Sequence, residues 1–265
     1  MTTRTFAITE PIRVLARLGH GSFRVTALDD LSEATVVVSA GSADLLDRTT
    51  VELRGTTLRI TSPRPGGILD LFGARPEDAL DVEITVPSAT PLKVSCVSAD
   101  VVVTGRCGHA DIATGTSQVS ADFVDGELRL RNGSGHCEVA RVSGSVQARS
   151  GSGTAHFGKV GGALTYSCGS GRLEIDEARG GVRFRAGSGA AVLGAIYDDI
   201  DLASGSGELR IGVPSGVTAR LDLTTGSGRV ESQLPVGQDA VRGGRSITIR
   251  ARTGSGDVQL LRAAA

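Results

Sequence analysis

Three acid–base residues recur at one interval in this chain. His156 lies 18 residues after Glu138 and 18 residues before Glu174. Imidazole and carboxylate are ordinary ligands for a divalent cation, and three brought together could hold one. Glu138, His156 and Glu174 are therefore the metal candidates. The competing reading is an acid–base ladder on a solvated face, where such side chains support one another across strands. Glu174, Asp176 and Glu177 also crowd one stretch. Paired carboxylates cleave glycosides only across a cleft, and no cleft-making insertion stands beside these. Cys96, Cys107, Cys137 and Cys168 form no CxxC pair, which excludes zinc-knuckle and thioredoxin-type chemistry. The glycine triplets are not phosphate loops, because no helix follows them. They also lack the aspartate of calcium-binding glycine-rich repeats. With no set of nucleophile, base and orienting residue, the chain is expected to be no enzyme and to carry no cofactor.

The interval itself says which elements must position these residues. Gly-Ser-Gly starts at Gly133, Gly151, Gly169, Gly187 and Gly205, each 18 residues after the last. Further copies start at Gly226 and Gly254, after intervals of 21 and 28. A second glycine series, Gly126, Gly144, Gly162 and Gly180, keeps the same beat half a repeat away. Apolar residues line up in columns: Leu128, Val146, Leu164, Val182 and Ile200 in one, and Val139, Phe157, Ile175 and Leu193 in another. Polar residues alternate with them, and period-two alternation is the mark of a strand with one buried face. Each repeat thus reads as one rung of a β-solenoid, paired with its neighbours about 4.8 Å away. One rung cannot bury its own apolar face, so the stack is the stable unit. Glycine is expected at the corners for positive φ, and the serine between the glycines for a local hydrogen bond.

The columns sort the remaining candidates. Cys137 shares a column with Val119, Ala155 and Leu173 and reads as core. Cys168 takes a corner slot filled elsewhere by Asn132, Ser150, Ala186 and Ser204, and a reactive thiol there is the competing reading. Arg131, Arg149 and Arg185 share an outward column, interrupted by Ser167. Such a ladder suits an acidic partner or anionic polymer, though a solvated face gives the same pattern.

Composition agrees with a thin solenoid. The chain has 265 residues, 37 of them glycine, only 3 % aromatic and none Trp. The net charge of −1 gives no electrostatic footprint for nucleic acid or an anionic membrane. The start, MTTRTFAITEPI, has no signal-peptide pattern, and no apolar run is long enough to span a bilayer. A cytoplasmic location follows as an expectation.

Residues 1–90 lack the 18-residue beat but still alternate, and are expected to form an antiparallel β cap. Residues 91–262 are expected to form the solenoid, in one continuous domain with the cap. Gly55 and Thr56 join two runs as a hairpin. The stretch PRPGGILDLFGARPEDA places Ile68, Leu69, Leu71 and Phe72 between Pro and Gly residues. It is either a loop packed back on the domain or a docking tip for a partner.

The opening FAITEPIRVLARLGHGSFRVTA, the stretch LDVEITVPSATPLKVSCVSADVVVTG, the Gly-Ser-Gly rungs and the closing ITIRARTGSGDVQL together carry a family likeness. Over nearly its whole length the chain resembles the bacterial DUF4097 family, also called the Toastrack domain or "putative adhesin" with β-strand repeats. It looks most like the actinobacterial cytoplasmic-type members. The resemblance implies a β-solenoid and a protein-interaction role, with some relatives coupled to envelope-stress sensing. It implies no catalytic residues. The expected function is therefore a non-enzymatic scaffold or protein-interaction domain. The alternatives are a self-assembling polymer joined end to end or by strand edges, and a surface adhesin or carbohydrate-binding rod.

Overall fold

A computed structural model describes residues 1–63, 78–234 and 245–263. The chain is nearly all-β and folds as a parallel β-solenoid with antiparallel strands near its start. It divides into two compact units, Met1–Val139 and Ala140–Ala265.

The first unit contains β1 (Thr2–Ala7), β2 (Arg13–Leu28), β3 (Glu33–Ala40), a short helix α1 (Ala43–Arg48), β4 (Thr50–Arg54), β5 (Thr57–Thr61), β6 (Ala79–Pro87), β7 (Leu92–Cys107), β8 (Ala110–Thr116), β9 (Val119–Val124) and β10 (Leu128–Ser134). The antiparallel part is β1–β3–β6 together with the β4–β5 hairpin, which turns at Gly55 with φ of 55°. The long strand β2 does something the sequence does not announce. Its first half pairs in parallel with β5, its second half with β6, and its other edge with β7 along nearly its whole length. Rungs therefore start well before residue 91, and the first rung of the chain is enclosed between later ones. From β7 the order is regular: β8 and β9 pair with its two halves, and β10 pairs with β8.

β11 (His136–Val142) contains the point of division. The second unit continues with β12 (Val146–Ser150), β13 (Thr154–Val160), β14 (Leu164–Cys168), β15 (Arg172–Ala178), β16 (Val182–Ala186), β17 (Ala190–Ile196), β18 (Ile200–Ser204), β19 (Leu209–Val213), β20 (Val217–Thr225), β21 (Val230–Ser232), β22 (Arg245–Thr253) and β23 (Val258–Arg262). Val146, Leu164, Val182 and Ile200 are successive register partners, and all are buried. Each such side chain contributes roughly 1.5–3 kcal/mol of hydrophobic stabilisation, which one rung alone could not realise. Tyr166 and Phe184 fill the next inward column as stacked rings with centroids 6.1 Å apart.

The last two rungs are also out of order. β18 and β19 pair with β22 and β23, and these in turn pair with β20 and β21. The triplets that follow the intervals of 21 and 28 are thus not stacked in chain order: Gly254 lies on Gly205, and Gly226 lies on Gly254. The outermost rung of this unit is the penultimate one in the chain.

Two expectations about the corners also change. Among the described triplet glycines only Gly135 has a left-handed φ, 138°. At most of the others, from Gly169 to Gly256, stacked backbones approach too closely for a side chain; a Cβ on Gly207 would lie 1.7 Å from the carbonyl oxygen of Gly189. The corner hydroxyl comes from the residue before the triplet. Ser150, Ser204, Thr225 and Thr253 accept from the N–H of the triplet's last glycine at 2.9–3.1 Å. Ser204 also donates to the Gly189 carbonyl at 2.7 Å, tying its corner to the preceding rung. These bonds satisfy backbone groups where the strand ladder is interrupted.

Candidate functional site: a basic strand face

Strands β5, β2, β7, β8 and β10 lie side by side, so their outward residues form rows across the first unit. One row is Arg59, Leu15, Lys93, Asp111 and Arg129. The next is Thr61, Arg17, Ser95, Ala113 and Arg131. In this second row the small residues Ser95 and Ala113 form a floor, and Arg17 and Arg131 stand at its two ends. Three strand steps separate them, roughly 14 Å. The depression over this floor measures about 540 Å³, and Lys93 and Asp111 border it. A neighbouring one of about 430 Å³ is lined by Arg13, Leu15, Arg59, Pro91, His109 and Arg129, among others.

The electrostatics are lopsided. Arg13, Arg17, Arg59, Lys93, Arg129 and Arg131 line the two depressions, against the carboxylates of Asp111 and Glu127. Lys93 lies 3.6 Å from Asp111, and Arg129 3.3 Å from Glu127. Arg13 donates from Nε to the Thr57 hydroxyl at 2.8 Å. Arg17, Arg59 and Arg131 are exposed and have no ion-pair partner among the described residues. Free guanidinium groups at fixed spacing can grip carboxylate or phosphate oxygens with charge-assisted, bidentate hydrogen bonds.

The sequence candidates distribute differently. Arg131 belongs to this face of the first unit. In the second unit Arg149 and Arg185 lie two rungs apart with Ser167 between them. Arg185 donates to the carboxylate of Asp201, and Arg183 lies 3.9 Å from the same group. Asp201 is held below the ordinary aspartate value by the Arg185 hydrogen bond first, against partial desolvation, and by the charges of Arg185, Arg183 and Arg250. The tip residues Ile68, Leu69, Leu71 and Phe72 lie outside the described residues.

The metal candidates are engaged elsewhere. His156 and Glu174 are register partners, but His156 Nε2 meets Asp176 Oδ1 at 3.0 Å and Glu174 faces Arg172 at 3.5 Å. Glu138, in the first unit, lies 4.0 Å from His136. Among the described residues no group of three His, Cys, Asp or Glu side chains is placed to hold a metal. Burial pushes the Cys107 thiol up to about 11 and Cys137 to about 12, and it raises Cys96 and Cys168 as well. All four are thus poor thiolates at neutral pH.

Arg13, Arg17, Arg59 and Lys93 escaped the sequence reading. Their alternation along β2, β5 and β7 was visible. Their grouping was not, because it requires β2 to lie between β5 and β7.

No protein-family model and no curated protein matches the chain. Among the described residues no helix is long and apolar enough to cross a membrane. Solved structures do match along nearly the full length. A "putative adhesin" from Bacteroides fragilis is 14% identical over 98% of this chain and 96% of its own, with a TM-score of 0.51. A "putative lipid binding protein" from Parabacteroides distasonis is 15% identical with the same coverages and a TM-score of 0.46. A "putative adhesin" from Parabacteroides merdae is 11% identical over those shares, also with a TM-score of 0.46. At such identities the first of these likenesses establishes one thing: this chain has the fold of the Bacteroides fragilis protein.

Proposed function

We propose that the chain is a non-enzymatic interaction module whose basic strand face binds an acidic segment of a partner protein. The observation that carries this reading is the pair Arg17 and Arg131, unpaired and fixed at the two ends of a small-residue floor. An extended peptide advances about 3.4 Å per residue, so carboxylates four residues apart would span that floor. The strand register fixes the spacing of the two arginine backbones, so binding has only their side chains to order. The raised thiol values and the occupied acid–base groups favour binding over catalysis. The resemblance to DUF4097 supports the same class of role, with a cytoplasmic partner in a regulatory or envelope-stress system.

The test is titration of a fluorescent peptide bearing glutamates at every fourth position. We expect saturable binding at low salt that weakens with added salt. Arg17→Glu with Arg131→Glu should weaken it by at least about tenfold, since each charged hydrogen bond is worth roughly 1.5–3 kcal/mol. Arg149→Glu, in the other unit, should leave it unchanged. No binding, or equal binding by all variants, overturns the reading.

The fold shared with the Bacteroides fragilis protein suggests a second reading, adhesion at a cell surface. Fractionation of the source cell separates the two: an adhesin is found at the surface, and a regulatory module in the cytosol.

A further inference from the structure

The outermost rung of the second unit is unfinished. β20 pairs with β22 along one edge, and no strand pairs with its other edge among the described residues. Ala219, Leu221 and Leu223 of β20 are register partners of Ile247, Ile249 and Ala251. The β22 residues are buried, whereas all three on β20 are only half-buried. A bare edge backed by apolar side chains is a template for another strand.

The sequence of that edge says what the other strand is. Residues 218–224 read Thr-Ala-Arg-Leu-Asp-Leu-Thr. Turn a second copy antiparallel about Leu221, and every pair matches. Arg220 faces Asp222, Ala219 faces Leu223, Thr218 faces Thr224, and Leu221 faces itself. The arginine and aspartate lie on the outward side of the strand, and the apolar residues continue the core. Arg220 has no ion-pair partner among the described residues, while Asp222 is held 3.0 Å from Arg252. Opposite charges directly across antiparallel strands are favourable, and a two-fold axis supplies the pair twice.

We infer that β20 is a self-complementary edge through which two copies of this chain form a closed, two-fold dimer. The joint is isologous, so it uses up both edges and ends growth at two copies. It stands independently of the basic face proposed above.

The experiment is sedimentation of the full chain across a concentration series, for the wild type and two charge variants, Arg220→Asp and Asp222→Arg. The wild type should sediment as a dimer. In either variant like charges meet across the axis, and the dissociation constant should rise at least about tenfold. Mixing the two variants should restore a dimer, because each then presents the charge the other needs. Circular dichroism confirms that both remain folded. A monomeric wild type, a filament, variants that dimerise normally, or a mixture that stays monomeric overturns the inference.

Discussion

Gly207 lies directly over Gly189 one rung away, with room for hydrogen only: a Cβ on Gly207 would sit 1.7 Å from the Gly189 carbonyl oxygen. Gly207→Ala must therefore push two rungs apart. We expect a loss of about 3 kcal/mol in urea unfolding, at the upper end of overpacking costs. Ser206→Ala, at the exposed residue beside it, should change stability by less than about 0.5 kcal/mol. Equal effects would mean that the corner does not stack as described.

Ser204 serves two masters, accepting from Gly207 N–H at 2.9 Å and donating to the Gly189 carbonyl at 2.7 Å. Ser204→Ala strands a buried donor and a buried acceptor. A loss of about 1–3 kcal/mol is expected in the same unfolding assay. A neutral result would show that water reaches the corner.

The stacked rings of Tyr166 and Phe184 lie in the core, and both side chains are fully buried. Phe184→Ala should cost about 3–5 kcal/mol. Tyr166→Phe should cost less, because it keeps the buried ring and removes only the hydroxyl that donates to the Gly153 carbonyl at 3.4 Å. Thermal unfolding of the two variants ranks them.

Asp201 links stability to pH. Its folded carboxyl titrates below the ordinary value, chiefly through Arg185. The contribution is therefore complete above the unfolded aspartate value and fades as pH falls through the depressed one. Asp201→Asn should unfold at a slightly lower temperature than wild type at pH 7. The group is partly exposed, so the difference should stay below about 1 kcal/mol. In acid the two melting curves should converge.

Thiol labelling reads the burial order. Cys168 is half-buried, and the other three cysteines are buried. A maleimide at neutral pH should modify Cys168 first in the folded protein. Cys137, pushed up to about 12, should react only on unfolding. Early labelling of Cys137, followed by peptide mass spectrometry, would mean that its rung opens.

The sequence by itself determined the rung. Period-two alternation tells inside from outside along a strand, and the 18-residue beat tells which residues share a column. Val146, Leu164, Val182 and Ile200 could be set in one file from spacing alone, and the register agrees. Tertiary structure alone decided the order of rungs at the ends. Nothing local distinguishes a rung laid on its predecessor from one that leaves a slot to be filled later, because both bury the same apolar columns and make the same ladder bonds. Hence β2 between β5 and β7, and β22 between β18 and β20, could not be read from the chain. The basic face and the open β20 edge both follow from those two insertions. Arg17 shares one strand face with Arg59 and Arg131 only when β2 is enclosed, and β20 is left outermost only because β22 takes the place beneath it.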